Sequence, residues 1–269
     1  MRSDSDRQTT FDLGRQNVNR KSVLLTGGGS GIGEGIAQVL GERGWHVLVN
    51  DVNAEAAQKV AKAVKGTALP GDIRNQPKAL LEQAVAIAGS LHALVNNAGI
   101  IRRSNLSETT EADLDLVYDV NIKSMILLSQ AALPHLKATG GSVVNVSSIA
   151  AKHSQTGAGF YSMSKAAVSA FTRLASAEWG PSGVRVNGVA PGLIRTAMAE
   201  AVYSVPELFE KRRMMMPLRR IGAPVDIGRV VAFLLSEDAS YVTGQVIDVD
   251  GGFTQTLISL LPHPETPKG

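Results

Sequence analysis

The 269-residue chain contains no cysteine. This excludes a disulfide framework, a thiolate nucleophile and a zinc site built on sulfur, and it accords with a reducing, cytoplasmic setting. Aromatic residues make up only 4% of the chain, too few for a base-stacking platform. Neither sign of charge dominates: 27 Lys and Arg face 24 Asp and Glu, for a formal charge of +3, and the cations are scattered. Nucleic acid is therefore not an expected partner. No run approaches the roughly 18 apolar residues of a membrane span, and the first twenty residues carry both signs of charge with no apolar core, so neither a span nor a signal peptide is expected. No metal is expected.

What is present is an alternation of short β-branched runs with longer Ala-rich segments. Residues 22–26, 46–50, 91–95, 142–146, 184–189 and 245–249 read as strands, and a further strand is expected before Asp72. Residues 31–43, 54–64, 77–88, 114–136, 158–179 and 225–235 have helical length and apolar spacing. Strand-helix alternation predicts an α/β fold, a doubly wound parallel sheet of about seven strands with helices on both faces. No composition break divides residues 21–253, which read as one domain. Residues 1–20 read as a polar arm and 254–269, with three prolines, as an extended tail.

Thr26-Gly27-Gly28-Gly29-Ser30-Gly31-Ile32-Gly33 follows the first strand and opens the first helix. Such a turn lets backbone approach a pyrophosphate, which the helix N-terminus favours, although glycine-rich turns also form for steric reasons alone. Asp51 stands 18 residues beyond Gly33, at the end of the next strand. A carboxylate there accepts hydrogen bonds from an adenosine ribose and repels a 2′-phosphate; its alternative role is to cap the helix starting near Ala54. With no cation at Ser30 for that phosphate, the pattern favours NAD over NADP, and Arg74 is the nearby cation able to modify this.

Tyr161 and Lys165 are one helical turn apart on one face. A phenol is a poor base at neutral pH, but an ammonium at about 4 Å and an effective dielectric near 20 favours the phenolate by roughly 4 kcal/mol. Tyr161 then becomes a usable general base. Ser148, just past the strand 142–146, falls where the carboxyl ends of parallel strands form a crevice and can hold a substrate oxygen beside the phenol, with Ser147 as its competitor.

With Thr26-Gly-x3-Gly-Ile-Gly33, Asn96-Asn97-Ala98-Gly99, Asn121, Ser148, Tyr161-x3-Lys165, Pro191-Gly192 and Thr243-Gly-Gln-Val-Ile-Asp-Val-Asp-Gly-Gly252 in order, the chain resembles the short-chain dehydrogenase/reductase family over about residues 21–253. The resemblance implies a Rossmann fold and an NAD-dependent oxidoreductase interconverting a secondary alcohol and a ketone. Tyr161 would be its acid/base. Ser148 would polarise the substrate oxygen, and Lys165 would lower the Tyr161 pKa and bind the nicotinamide ribose. Asn121 would hold a water linking Lys165 to solvent, or else simply interrupt a helix. Gly27, Gly29, Ser30, Gly31, Ile32 and Gly33 would meet the cofactor phosphates. Asp72 and Ile73 would meet the adenine, though Asp72 also fits a turn. Asn97, Ala98 and Gly99 would lie beside the adenosine ribose or knit the sheet. Pro191, Gly192, Ile194 and Thr196 would meet the nicotinamide amide. A homotetramer is implied by resemblance alone.

Substrate-defining segments are the least patterned. Arg102 and Arg103 follow Asn-Asn-Ala-Gly and can grip a carboxylate, as in family members acting on sugar acids, or they face water. His153 lies between Ser148 and Tyr161, as a substrate contact or an exposed loop residue. Residues 197–213 and the run Met214-Met215-Met216 read as a lid or as a buried helix. The competing activities are an NADPH-dependent 3-oxoacyl-thioester reductase, which Asp51 opposes, and a non-catalytic dinucleotide-binding protein, which the Ser148, Tyr161 and Lys165 set opposes. A serine hydrolase is disfavoured because no Gly-x-Ser-x-Gly elbow is present.

Overall fold

The computed structural model describes residues 20–196 and 203–256. They form one seven-stranded sheet in the order β3-β2-β1-β4-β5-β6-β7, with every pair parallel. The strands are β1 Ser22–Leu25, β2 His46–Asp51, β3 Thr67–Pro70, β4 Ala93–Asn96, β5 Ser142–Val146, β6 Arg185–Pro191 and β7 Val246–Val249. Helices α1 Gly31–Glu42, α2 Ala54–Ala63, α3 Pro77–Ala88, α4 Glu111–Tyr118, α5 Ser124–Thr139, α6 Tyr161–Trp179, α7 Pro206–Met215 and α8 Pro224–Leu235 connect or follow them.

Both faces of the sheet are covered, so the central strands are buried along their length rather than alternating. Successive side chains still go to opposite faces. Val23, Leu25, Val47 and Val49 pack with Ile36 and Leu40 of α1 and with Ile227 and Val231 of α8. Leu24, Leu48, Leu94 and Val143 pack on the other side with Leu81 of α3, Leu128 and Leu136 of α5, and Trp179 of α6. The chain reverses its winding at β1, so β1 and β4 part their loops at the carboxyl edge, where such sheets open a ligand crevice.

Three expectations shift. The helix expected over residues 114–136 is broken: α4 and α5 are separated by a turn of π-helix, Asp119–Lys123, that contains Asn121. The helix expected from residue 158 starts only at Tyr161, because Gly159 sits at φ +55° and its N–H donates to the Ser104 carbonyl at 3.0 Å. The methionine run is split, with Met214 and Met215 exposed at the end of α7 and Met216 buried. Residues 197–202 of the expected lid, residues 1–19 of the arm and residues 257–269 of the tail lie outside the described residues. Among the described residues no helix is long and apolar enough to cross a membrane.

Candidate active site

The glycine turn joins β1 to α1 and is held from two sides. The Gly28 N–H donates to the Asn50 carbonyl at 2.8 Å, and the Asn97 side-chain amide donates to the carbonyls of Thr26 and Gly27 at 3.0 and 2.8 Å. A Cβ at Gly33 would come within 2.0 Å of the Gly27 carbonyl oxygen, so only glycine lets α1 start this close to the turn. Ser30 is exposed and makes no capping hydrogen bond, which leaves the first-turn amides of α1 facing the turn. This is a cradle whose own residues carry almost no side chains, and it fits a dinucleotide pyrophosphate.

Asp51 does not cap α2. Asn53 does, accepting from Ala56 N–H at 3.0 Å. The Asp51 carboxylate instead accepts from Gly29 N–H and Asn53 N–H, both at 2.9 Å, which places it at the lip of the glycine turn. Asp72 is gripped by Arg74, whose Nη2 lies 2.6 Å from Oδ2, and the guanidinium hydrogen bonds hold its carboxyl below the usual range. Arg74, the cation able to alter the cofactor preference, is thus tied to a carboxylate. The Ile73 side chain packs into the core.

In the pair Asn96-Asn97 it is Asn96 that knits the strands, donating to Asn145 of β5 at 2.8 Å and to Ser129 of α5 at 2.9 Å. Asn97 serves the glycine turn, and the Ala98 N–H donates to the Thr26 hydroxyl. Gly99 faces the other way: a Cβ there would lie 3.1 Å from Lys165 Nζ and 3.4 Å from Asn121 Oδ1. Beyond β6, Thr196 folds back towards Gly31, from whose ideal Cβ its Cγ2 lies 3.4 Å, so the loop after Pro191 and Gly192 roofs the glycine turn. Ile194 is buried and bridges to Gly222.

The paired serines at the end of β5 divide their work. Ser147 is buried, donates to the Lys165 carbonyl at 2.9 Å and shares a hydrogen bond with Ser169, so it fixes α6 against β5. Ser148 caps the short turn Ile149–Ala151 and is a hydrogen-bonding neighbour of the Tyr161 phenol. A bidentate bond from Lys152 to Asp248 of β7, 2.9 Å to each oxygen, ties down the end of that turn. Lys165 Nζ donates to the Val146 carbonyl at 2.9 Å, lies 5.8 Å from the centre of the Tyr161 ring, and is pushed down to about 8 by burial. Burial pushes the Tyr161 phenol up; the Ser148 hydroxyl and the Arg103 charge oppose that rise.

Arg102 and Arg103 have different neighbours. Arg102 lies 3.6 Å from Asp113 of α4, while Arg103 is the member whose charge reaches Tyr161. His153 is exposed, just past the Ser148 turn. Sequence reasoning missed Ser164, which is fully buried beside Tyr161; its place in Tyr161-Ser-Met-Ser-Lys165 was the one available signal. Among the described residues no group of three or more His, Asp or Glu can hold a metal ion.

A strand-turn-helix cradle, a carboxylate at its lip and a Ser-Tyr-Lys cluster thus share one edge of the sheet. The family model described as Enoyl-(Acyl carrier protein) reductase matches residues 27–254. The chain belongs to the short-chain dehydrogenase/reductase family. It is an oxidoreductase of the family's nucleotide-binding kind. It is 37% identical to 3-oxoacyl-[acyl-carrier-protein] reductase FabG of Thermotoga maritima over 86% of this chain and 97% of that one. Among solved structures it matches 3-ketoacyl-(acyl-carrier-protein) reductase of Brucella melitensis in complex with NADH, with a TM-score of 0.82 and 30% identity over 87% of this chain and 98% of that one. ElxO with NADP bound matches with a TM-score of 0.82 and 28% identity over 88% and 99%. Short-chain dehydrogenase/reductase chains as similar as these thus hold either nicotinamide cofactor, and a nicotinamide cofactor fits the cradle of this one.

Proposed function

We propose that this protein uses NAD(H) to interconvert a secondary alcohol and a ketone on a small hydroxy compound, a sugar acid or polyol, and that residues 21–253 form the catalytic unit. The observation that carries this reading is the placement of Ser148, Tyr161 and Lys165 together at the carboxyl edge of the sheet, beside the glycine cradle. The bound nicotinamide supplies or accepts the hydride. Ser148 holds the substrate oxygen, and Tyr161 gives or takes its proton. Lys165, as an ammonium, favours the phenolate and takes the ribose hydroxyls. Asn121 holds the backbone beside Lys165, and a water there completes a proton path.

Asp51 supports NAD over NADP. Its carboxylate stands at the lip of the turn with no cation at Ser30 to receive a 2′-phosphate. Arg103 supports an anionic substrate, because its charge faces the phenol from the rim. Arg102 and His153, both exposed, are second-rank substrate contacts. The protein acts as a homotetramer in the cytoplasm, and the exposed Leu127 of α5 with Met163 and Leu174 of α6 suits such a contact.

The second reading, an NADPH-dependent 3-oxoacyl-thioester reductase, is favoured by the names of relatives. Turnover of sugar acids, polyols and a 3-oxoacyl thioester with each cofactor, followed at the reduced-nicotinamide band, separates the two. NAD-dependent oxidation of a hydroxy acid is expected; NADPH-dependent reduction of the thioester alone overturns the reading.

A further inference from the structure

Ser164 is fully buried, and nothing in the proposed chemistry uses it directly. A serine inside a helix ordinarily turns its hydroxyl onto a carbonyl of its own helix. Ser164 does so, donating to the Tyr161 carbonyl at 2.7 Å, but it also accepts from Asn121 Nδ2 at 3.0 Å. It therefore joins the first turn of α6, which carries Tyr161 and Lys165, to the π-turn. The other bonds of Asn121 run to one residue. Its Nδ2 donates to the Ile100 carbonyl at 2.9 Å, and its Oδ1 accepts from Ile100 N–H at 2.8 Å. Ile100 follows Gly99, where an added Cβ would lie 3.1 Å from Lys165 Nζ, so that only a residue without a side chain leaves the amine its space.

We infer that Ser164 is a positioning residue that docks the Asn121 turn onto α6 and so, through Ile100, holds the Gly99 backbone over the Lys165 amine. The inference rests on the reading of Tyr161 and Lys165 as the reacting pair. A π-turn is an insertion whose geometry depends on its neighbours. Without the Ser164 hydroxyl, one Asn121 N–H loses its partner in a dry interior, and a shift of the turn that rehydrates it is favoured. That shift lifts Gly99 and admits water to Lys165. The groups facing the amine are the Tyr161 ring from its own helix, the Val146 carbonyl from β5, the Gly99 backbone, and the uncharged Asn121 amide behind it. Beyond Tyr161 stands the charged Arg103. Burial alone is what depresses Lys165, so its titration reports directly on this roof.

The test is the titration of Lys165 in the intact, cofactor-free protein, measured by competitive labelling with acetic anhydride and mass spectrometry. Wild-type Lys165 is expected to titrate near 8. Ser164→Ala raises this by about one unit, and Ser164→Cys, which keeps the volume but hydrogen-bonds weakly, by less. In turnover, Ser164→Ala lowers kcat about 10-fold with a smaller change in the KM for cofactor, and the limb of the pH profile set by Lys165 moves up with the titration. An unchanged Lys165 titration with only a lower melting temperature overturns the inference, as does a wild-type Lys165 that titrates like an ordinary lysine. Should Ser164→Ala not fold, Ser164→Cys carries the same comparison. Full turnover by Tyr161→Phe would sink the catalytic reading while leaving the Lys165 titration to stand or fall separately.

Discussion

The two edges of the sheet use polar residues in opposite ways. At the amino edge, Arg20 donates to the carbonyls of Gly44 and Trp45, His92 Nδ1 accepts from Ser22 N–H at 3.1 Å, and His46 Nε2 meets Thr67 Oγ1 at 2.9 Å. Each contact closes a chain end or a turn. At the carboxyl edge, the buried Asn96, Asn121, Ser147 and Ser164 and the half-buried Asn97 do the same closing work one layer below, and Ser148, Tyr161 and Asp51 lie at the crevice, with the Arg103 charge acting on the phenol. An inner set of hydrogen-bonded amides and hydroxyls, of which only the Asn96 Oδ1 lacks a partner among the described residues, makes it possible to hold an outer set of polar groups in a fixed place.

The difference is tested most severely at Tyr161. Tyr161→Phe keeps the ring and removes the proton donor, so kcat is expected to fall by about 10²- to 10⁴-fold with the melting temperature unchanged. A loss of stability instead would put Tyr161 with the closing set. Next is Asp51→Ala, which is expected to lower the NAD to NADP ratio of kcat/KM by about 10-fold or more, since it removes both a charge-assisted ribose contact and the repulsion of a 2′-phosphate. Arg103→Ala follows, with KM for an anionic substrate rising about 10-fold and that of a neutral alcohol of the same size little changed; equal effects on both would remove Arg103 from substrate binding.

The smallest effect lies at the amino edge. Burial, with Arg20 and Lys21 respectively adding to it, lowers His46 and His92 below their ordinary 6.5. The folded protein therefore prefers neutral imidazoles. Their contribution is whole above about pH 6.5 and is lost as pH falls from there through the lower folded values. Melting temperatures between pH 7 and 5 should drop by a few degrees in the wild type and less in His92→Gln, with turnover at neutral pH unaffected. A flat wild-type curve would show that the amino edge is not acid-sensitive.

Much of this was legible before any coordinates. The β-branched runs separated by amphipathic stretches imply a parallel sheet, and residue order places Gly27 to Gly33, Asp51, Ser148, Tyr161 and Lys165 at its carboxyl edge. Neighbouring residues of the same type were not legible. Ser147 and Ser148, or Asn96 and Asn97, are interchangeable to a pattern, and alternation assigns them opposite faces without saying which face holds the site. The break at Asn121 was hidden because Val120-Asn-Ile-Lys123 is compatible with an unbroken helix; the π-turn forms where the Asn121 amide meets the Ile100 backbone, a partner from another part of the chain.

The sequence by itself determined the class of fold, the glycine cradle and which functional groups are available for proton and hydride chemistry, because these depend on local spacing and side-chain type. Only the tertiary structure decided that the charge of Arg103 rather than Arg102 acts on the phenol, that Asn97 serves the cradle, and that Lys165 is buried close to Gly99. Those outcomes are set by burial and by contacts between residues distant in the chain, and the free energy of a charge or a hydroxyl changes most with the groups packed around it.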